Sequence, residues 1–182
     1  MYSESDDHTV TIPAPHPEVV ILEKVQSGLG SHPSVVNVAK GMSKFGDHSI
    51  GWVALAGIGA ALDKQRRRQW LAAGAGAFGA HAASVVVKRV VRRPRPDHPS
   101  VAVKVTTPGK LSFPSSHATS TTAAAVLMGR LTGLPLPALL VPPMLISRMV
   151  LGVHYPTDVL AGSAMGAVSA AVVLRSERYW SR

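Results

Sequence analysis

The way the apolar residues are gathered limits this chain more than any other feature. Five blocks rich in Ala, Gly, Val and Leu (Ile50 to Leu62, Trp70 to Val87, Thr119 to Leu131, Leu134 to Val153, Val159 to Leu174) are separated by short polar or basic stretches. Their apolar residues are not spread at amphipathic spacing, so they do not read as surface helices of a soluble domain. An 18-residue helix rises about 27 Å, enough to cross a hydrocarbon core; the first and third blocks reach that length only with their flanks. The fold class predicted is all-α, an integral membrane helical bundle of about five transmembrane helices. Small residues crowd Ala72 to Ala77 and Gly162 to Ala167, which lets helix backbones approach closely in lipid. Pro142-Pro143 removes two amide donors from the fourth block and predicts a bend there.

Only 16% of the 182 residues are charged and none is cysteine, which excludes a disulfide-stapled secreted module. Nineteen Lys and Arg against ten acidic residues give +9, a balance that fits nucleic acid, anionic lipid or a phosphorylated substrate. Many of the cations flank apolar blocks and no nucleic-acid reading motif accompanies them, which argues against nucleic acid and for membrane lipids. Residues 1–16 read as a disordered tail, without the basic and apolar regions of a signal peptide. Over residues 17–46, Val19, Val20, Leu22, Val25 and Leu29 interleave with Glu18, Glu23, Lys24 and Gln26, and Val35 to Phe45 repeats the mixture around Lys40 and Lys44. These are short amphipathic helices, on the membrane surface or against the bundle. Residues 47–182 form the transmembrane domain. The cations divide evenly between its two faces, so the positive-inside rule does not choose an orientation. Leaving the long polar N-terminal tail untranslocated favours the cytoplasmic side for the clusters described next, and no feature reports the oligomeric state.

Three clusters put charges and histidines at the ends of apolar blocks. The first is Lys88-Arg89-Val90-Val91-Arg92-Arg93-Pro94-Arg95-Pro96. On a continuing helix Lys88 and Arg95 would fall within roughly 20° of one face, with the prolines ending it. Alone, the cluster also reads as a juxtamembrane anchor for anionic headgroups, and Arg89, Arg92 and Arg93 fit either that or a second anionic group. The second is Ser112-Phe113-Pro114-Ser115-Ser116-His117, a helix start whose free amides and dipole favour an anion, with His117 in the first turn as proton donor. The third is Ser147-Arg148 to His154-Tyr155-Pro156-Thr157-Asp158. Arg148 and His154 would point about 120° apart on one helix, so Gly152 or Pro156 must turn the chain for both to face one site. Asp158 then either orients the His154 ring or simply caps the fifth block. His81 reads as pointing into the bundle to satisfy a buried hydrogen bond, Asp47 as a helix cap with a substrate contact as the alternative, and His48 beside it has no assigned role.

Taken in order, Lys88-x6-Arg95-Pro96, Pro114-Ser115-Ser116-His117 and Ser147-Arg148-x5-His154-x3-Asp158 resemble the type 2 phosphatidic acid phosphatase superfamily over residues 88–158. Ser116 stands where the family more often has Gly. The resemblance implies a lipid phosphatase working through a phosphohistidine: His154 as nucleophile, Asp158 orienting it, His117 as acid and then base. Lys88, Arg95, Arg148 and the amides near Ser115 and Ser116 would hold the phosphoryl oxygens. It implies no metal and no cofactor, and no His or carboxylate cluster here has convincing metal-ligand spacing. The implied substrate is lipid-linked, with its phosphate in water and its tail in the plasma membrane. The chain's size and its Lys88 to Pro96 stretch are similar to the actinobacterial branch, whose members include a phosphatase that removes a phosphate monoester from a polyprenyl-linked phosphoribose in cell-wall arabinan synthesis. A polyprenyl diphosphate, a phosphatidylglycerophosphate or a phosphatidic acid remain alternative substrates, and a non-catalytic lipid-binding scaffold is the alternative outside enzymes.

Overall fold

The computed structural model describes residues 16–180, and nearly all of the expected tail, residues 1–15, lies outside them. Seven α-helices follow one another: α1 Pro17–Gly28, α2 Pro33–Gly46, α3 Ile50–Leu62, α4 Arg67–Val91, α5 Ser116–Thr132, α6 Leu136–Val150 and α7 Pro156–Trp180. Among the described residues there is no strand, only an isolated bridge between Pro94 and Leu111. The five apolar blocks became α3 to α7; α4 and α7 are each long and apolar enough to cross a membrane. α6 continues as helix through Pro142 and Pro143.

α5 is the axis of the bundle, and its small side chains explain why. Ala118, Thr119, Ser120, Thr121, Ala123, Ala124 and Ala125 are all essentially buried, with α4, α6 and α7 packed around them. α7 comes close because Gly162 and Gly166 face it. A Cβ on Gly162 would sit 2.6 Å from the Ser115 carbonyl, and one on Gly166 would run into the Thr119 carbonyl. Hydroxyl pairs also join α5 to its neighbours, Ser84 of α4 to Ser116 at 2.7 Å and Thr122 to Ser163 of α7 at 3.0 Å. The large apolar side chains lie outside instead: Ile50, Ile58, Leu62, Phe78, Leu139, Leu160, Val168 and Val172 are exposed. A small-residue interior inside a Leu, Ile, Val and Phe exterior is the pattern of a bundle solvated by lipid.

α1 and α2 pack on one end of this bundle. Val19 and Leu22 are buried with Val101, and Ala39 with Val150, Leu151 and Val153. Gln26 ties the three segments together: its Nε2 donates to Ala102 O (2.8 Å) and Val150 O (3.1 Å), and its Oε1 accepts from the Ala102 amide (2.9 Å). One of the carbonyls left unpaired at the end of α6 is thereby satisfied by the N-terminal layer.

α4 stops before the sequence reading expected. It ends at Val91, Arg92 adopts a left-handed φ of 57°, and its amide closes on Lys88 O at 2.9 Å. Arg93 and Arg95 both precede prolines, which disfavours helical backbone at each of them. Arg95 therefore arrives from an extended segment that pairs with Lys110 and Ser112, and shares no helix face with Lys88.

Candidate active site

The loop between α6 and α7 is built by two opposite helix signals a few residues apart. Gly152, with φ +69°, takes the left-handed position after α6; its amide bonds Met149 O (2.9 Å) and the Val153 amide bonds Arg148 O (3.2 Å), a Schellman stop. Pro156 then opens α7, and the Asp158 carboxylate reaches back to accept the Tyr155 amide through Oδ2 at 2.8 Å. His154 lies between stop and start, 2% exposed.

That geometry sets the chemistry of the ring. Arg95 Nη1 donates to Val153 O (2.7 Å) and lies 3.3 Å from His154 Nε2. A guanidinium cannot accept a hydrogen bond, so the nitrogen facing it carries the lone pair and Nδ1 carries the proton. Nδ1 faces Asp158 Oδ2 at 3.6 Å, an ion-pair distance too long for a hydrogen bond. Asp158 thus does both things the sequence left open, capping α7 and facing the imidazole. Burial first, then the charges of Arg148, Arg95 and Lys88, push the His154 imidazole well below its usual pKa and keep it neutral.

Arg148 is 1% exposed, and its Nε and Nη1 have no partner among the described residues. A buried guanidinium with unpaired N–H groups is costly unless an anion completes it. Lys88 Nζ donates to Ser112 O at 2.8 Å, and Arg95 Nε to Gly109 O at 2.8 Å. Burial lowers the pKa of Arg95, outweighing the opposing charge of Asp158. Three cations, one neutral histidine and one buried carboxylate are gathered at the end of the bundle that α1 and α2 cover.

The second motif is placed as a helix start, with one difference. Ser115 caps α5 through its hydroxyl, but its amide is taken by Asp158 O at 2.9 Å and so is not open to a phosphoryl oxygen. The amides of Ser116 and His117 have no acceptor among the described residues, as the first turn of a helix requires. The Ser116 hydroxyl accepts from Ser84. His117 Nε2 contacts Ser43 O at 3.0 Å and Asp47 Oδ1 at 3.2 Å.

Other expectations are corrected. Asp47 makes no side-chain cap to the helices around it and pairs with His117 instead. His81 Nδ1 is buried without a partner among the described residues, and the ring lies 5.8 Å from that of His48, so the expected buried hydrogen bond is not made there. Arg93 is neither a headgroup anchor nor a second anion site. It donates to Asp158 Oδ1 (2.9 Å) and Thr157 Oγ1 (2.6 Å), pairs with Glu18, and stacks over the Tyr155 ring at 4.1 Å. Glu18 Oε1 also accepts from the Thr157 amide (3.1 Å) and hydroxyl (2.6 Å). Sequence reasoning missed Glu18 because its partners lie 75 and 139 residues away, beyond any periodic signal.

The comparisons agree with this geometry. The chain is 61% identical over 160 residues to a decaprenylphosphoryl-5-phosphoribose phosphatase of Mycobacterium tuberculosis, covering 88% of this chain and 90% of that one. It is 63% identical over 149 residues to the protein of the same name from Mycolicibacterium smegmatis, covering 82% and 83%. Its fold is similar, at 22% identity and a TM-score of 0.70, to the transmembrane PAP2 type phosphatidylglycerolphosphate phosphatase from Bacillus subtilis, over 88% of this chain and 86% of that one. Residues 69–182 match the PAP2 superfamily, and with histidines, cations and carboxylate gathered at one end of a membrane bundle, the chain belongs to that family.

Proposed function

We propose that this chain is a multi-pass plasma-membrane phosphatase that removes the phosphate monoester of a polyprenyl-linked phosphoribose through a phosphohistidine, supplying a cell-wall arabinan precursor. The observation that carries the chemistry is Arg148, buried with two unpartnered N–H groups beside a buried, neutral His154. Arg148, Arg95 and Lys88 hold the phosphoryl oxygens, with the Ser116 amide at the helix start. His154 Nε2 attacks phosphorus while His117 protonates the leaving oxygen. Water, deprotonated by His117, then opens the phosphohistidine and releases phosphate. Asp158 faces the Nδ1 side of the ring and stabilises the charge that develops there. Fixed cations and positioning are what phosphoryl transfer asks of a protein.

The substrate class draws support from the two mycobacterial relatives and from a groove of about 390 Å³ lined by Met42, Phe45, Trp52, Leu55 and Met144. Thr121 belongs to the same groove, one turn along α5 from His117, so an apolar tail there leaves its head at the histidines. The N-terminal segment shares the site's end of the bundle, and keeping it untranslocated makes the site cytoplasmic. Phosphate release in chelator, by detergent-purified wild type and His154→Ala, tests the reading on polyprenyl-phosphoribose phosphate, polyprenyl diphosphate and phosphatidic acid. Release from the first lipid alone, abolished in the variant, is the expected result. Preference for another lipid overturns the substrate, and undiminished release by His154→Ala overturns the mechanism.

A further inference from the structure

We infer that Asp47 is the carboxylate partner of His117 and a positioning residue for proton delivery to the leaving oxygen, so that the site holds two histidine–aspartate pairs. The inference rests on the reading of His117 as the proton donor. Both acceptors near the ring, Asp47 Oδ1 at 3.2 Å and Ser43 O at 3.0 Å, lie on Nε2. That nitrogen therefore keeps its hydrogen in either protonation state, and the proton exchanged with substrate is the one on Nδ1, which has no hydrogen-bond partner among the described residues.

The turn carrying Asp47 is held firmly. Gly46 lies so close to the imidazole that a Cβ there would stand 2.6 Å from His117 Cδ2. The next two residues, His48 and Ser49, both adopt left-handed backbone, with φ of 51° and 62°, a costly conformation for residues with a Cβ. Ser49 is fully buried and its hydroxyl donates to Ala77 O on α4 at 3.3 Å. Neither flanking helix uses the carboxylate as a cap. The hydrogen bond from His117, stronger than the opposing effect of burial, holds the Asp47 carboxyl below its usual pKa.

In the first step His154 Nε2 bonds to phosphorus, the bond from phosphorus to the leaving oxygen breaks, and the Nδ1 proton of the His117 imidazolium passes to that oxygen. In the second, water gives its proton back to His117 Nδ1 as its oxygen bonds phosphorus and the bond to His154 breaks. Asp47 faces the imidazolium before the first step and after the second.

The test compares two leaving groups. A sugar alkoxide must be protonated as it departs, whereas p-nitrophenolate is stable enough to leave with little help. On polyprenyl-phosphoribose phosphate, Asp47→Asn lowers kcat by roughly tenfold or more with KM unchanged, a part of the roughly hundredfold or greater contribution of general acid catalysis, since His117 itself remains. Its loss on p-nitrophenyl phosphate is several times smaller, and Asp47→Glu recovers most of the lipid rate. Equal losses on both substrates, a loss in KM alone, or no loss overturn the inference. Wild type and His154→Ala run beside it as the control for the underlying reading: if wild type shows no His154-dependent release, the phosphatase assignment itself fails and this inference with it.

Discussion

A histidine that attacks phosphorus must offer an unprotonated nitrogen to an electrophile surrounded by positive charge. Burial first, and then the cations proposed to hold the phosphate, keep the His154 ring neutral, so on that reading binding and nucleophile activation come from one arrangement. That arrangement has a cost at Arg148, whose buried guanidinium leaves Nε and Nη1 unpaired. Removing a buried charge that lacks full compensation relieves the fold, while removing it from a phosphate site destroys function. Arg148→Met is thus expected to abolish turnover and yet raise the melting temperature of the substrate-free protein, by roughly 3 °C for each kcal/mol of relief. Inorganic phosphate should stabilise wild type and leave Arg148→Met unmoved, because only a state that binds the ion is stabilised by it. Differential scanning fluorimetry in detergent measures both. A lower melting temperature in the variant, or equal stabilisation by phosphate, would remove Arg148 from the binding site.

At the scale of elements, the site depends on α5 and α7 lying close enough to share backbone contacts. The Ser115 amide bonds Asp158 O at 2.9 Å, so the cap of one helix is fixed to the first turn of the other. Gly162 and Gly166 make this approach possible. In Gly166→Leu the side chain meets the Thr119 carbonyl, which is backbone and cannot rotate away, so α7 must move off α5. The expected outcome is a loss of thermal stability of roughly 1–3 kcal/mol together with turnover, whereas Val168→Leu on the exposed face of α7 keeps both. Unchanged stability in Gly166→Leu would show that the packing is loose. These elements were legible because block composition and the Gly162 to Gly166 spacing are local signals. The end of α4 was not: a periodic projection carried Arg95 onto the helix, while the residues preceding Pro94 and Pro96 had already left it. Asp47 was misread for a related reason, since a carboxylate before an apolar block looks like a cap until its distant partner His117 is seen.

For the whole molecule, the lipid-facing bundle and the N-terminal layer are held by different forces. The bundle rests on close helix packing around α5; the layer rests on a few apolar contacts, Gln26 and the Glu18–Arg93 pair. Glu18 and Asp47 both lie outside residues 69–182, and each contacts a residue inside them, Arg93 and His117 respectively. Burial of Glu18 opposes its ionisation, but hydrogen bonds from Thr157 and Arg93 together prevail and hold its carboxyl below the usual value. For a carboxylate lowered in the folded state, the stabilising contribution is full above the unfolded pKa of about 4.3 and disappears as pH falls through the lower folded value. Docking of α1 should therefore weaken in acid while α5 stays protected. Hydrogen exchange at matched pH, comparing wild type with Glu18→Gln, resolves this because the intrinsic exchange rate is common to both. At pH 7 the variant should exchange faster than wild type over residues 17–28, and the difference should shrink as the pH falls through the lowered folded value and the wild-type carboxyl protonates. α5 should exchange alike in both proteins. A difference independent of pH would mean that the charge on Glu18 does not hold α1. Faster exchange throughout α5 would mean that bundle and layer open as one unit, and that the N-terminal helices are part of the core.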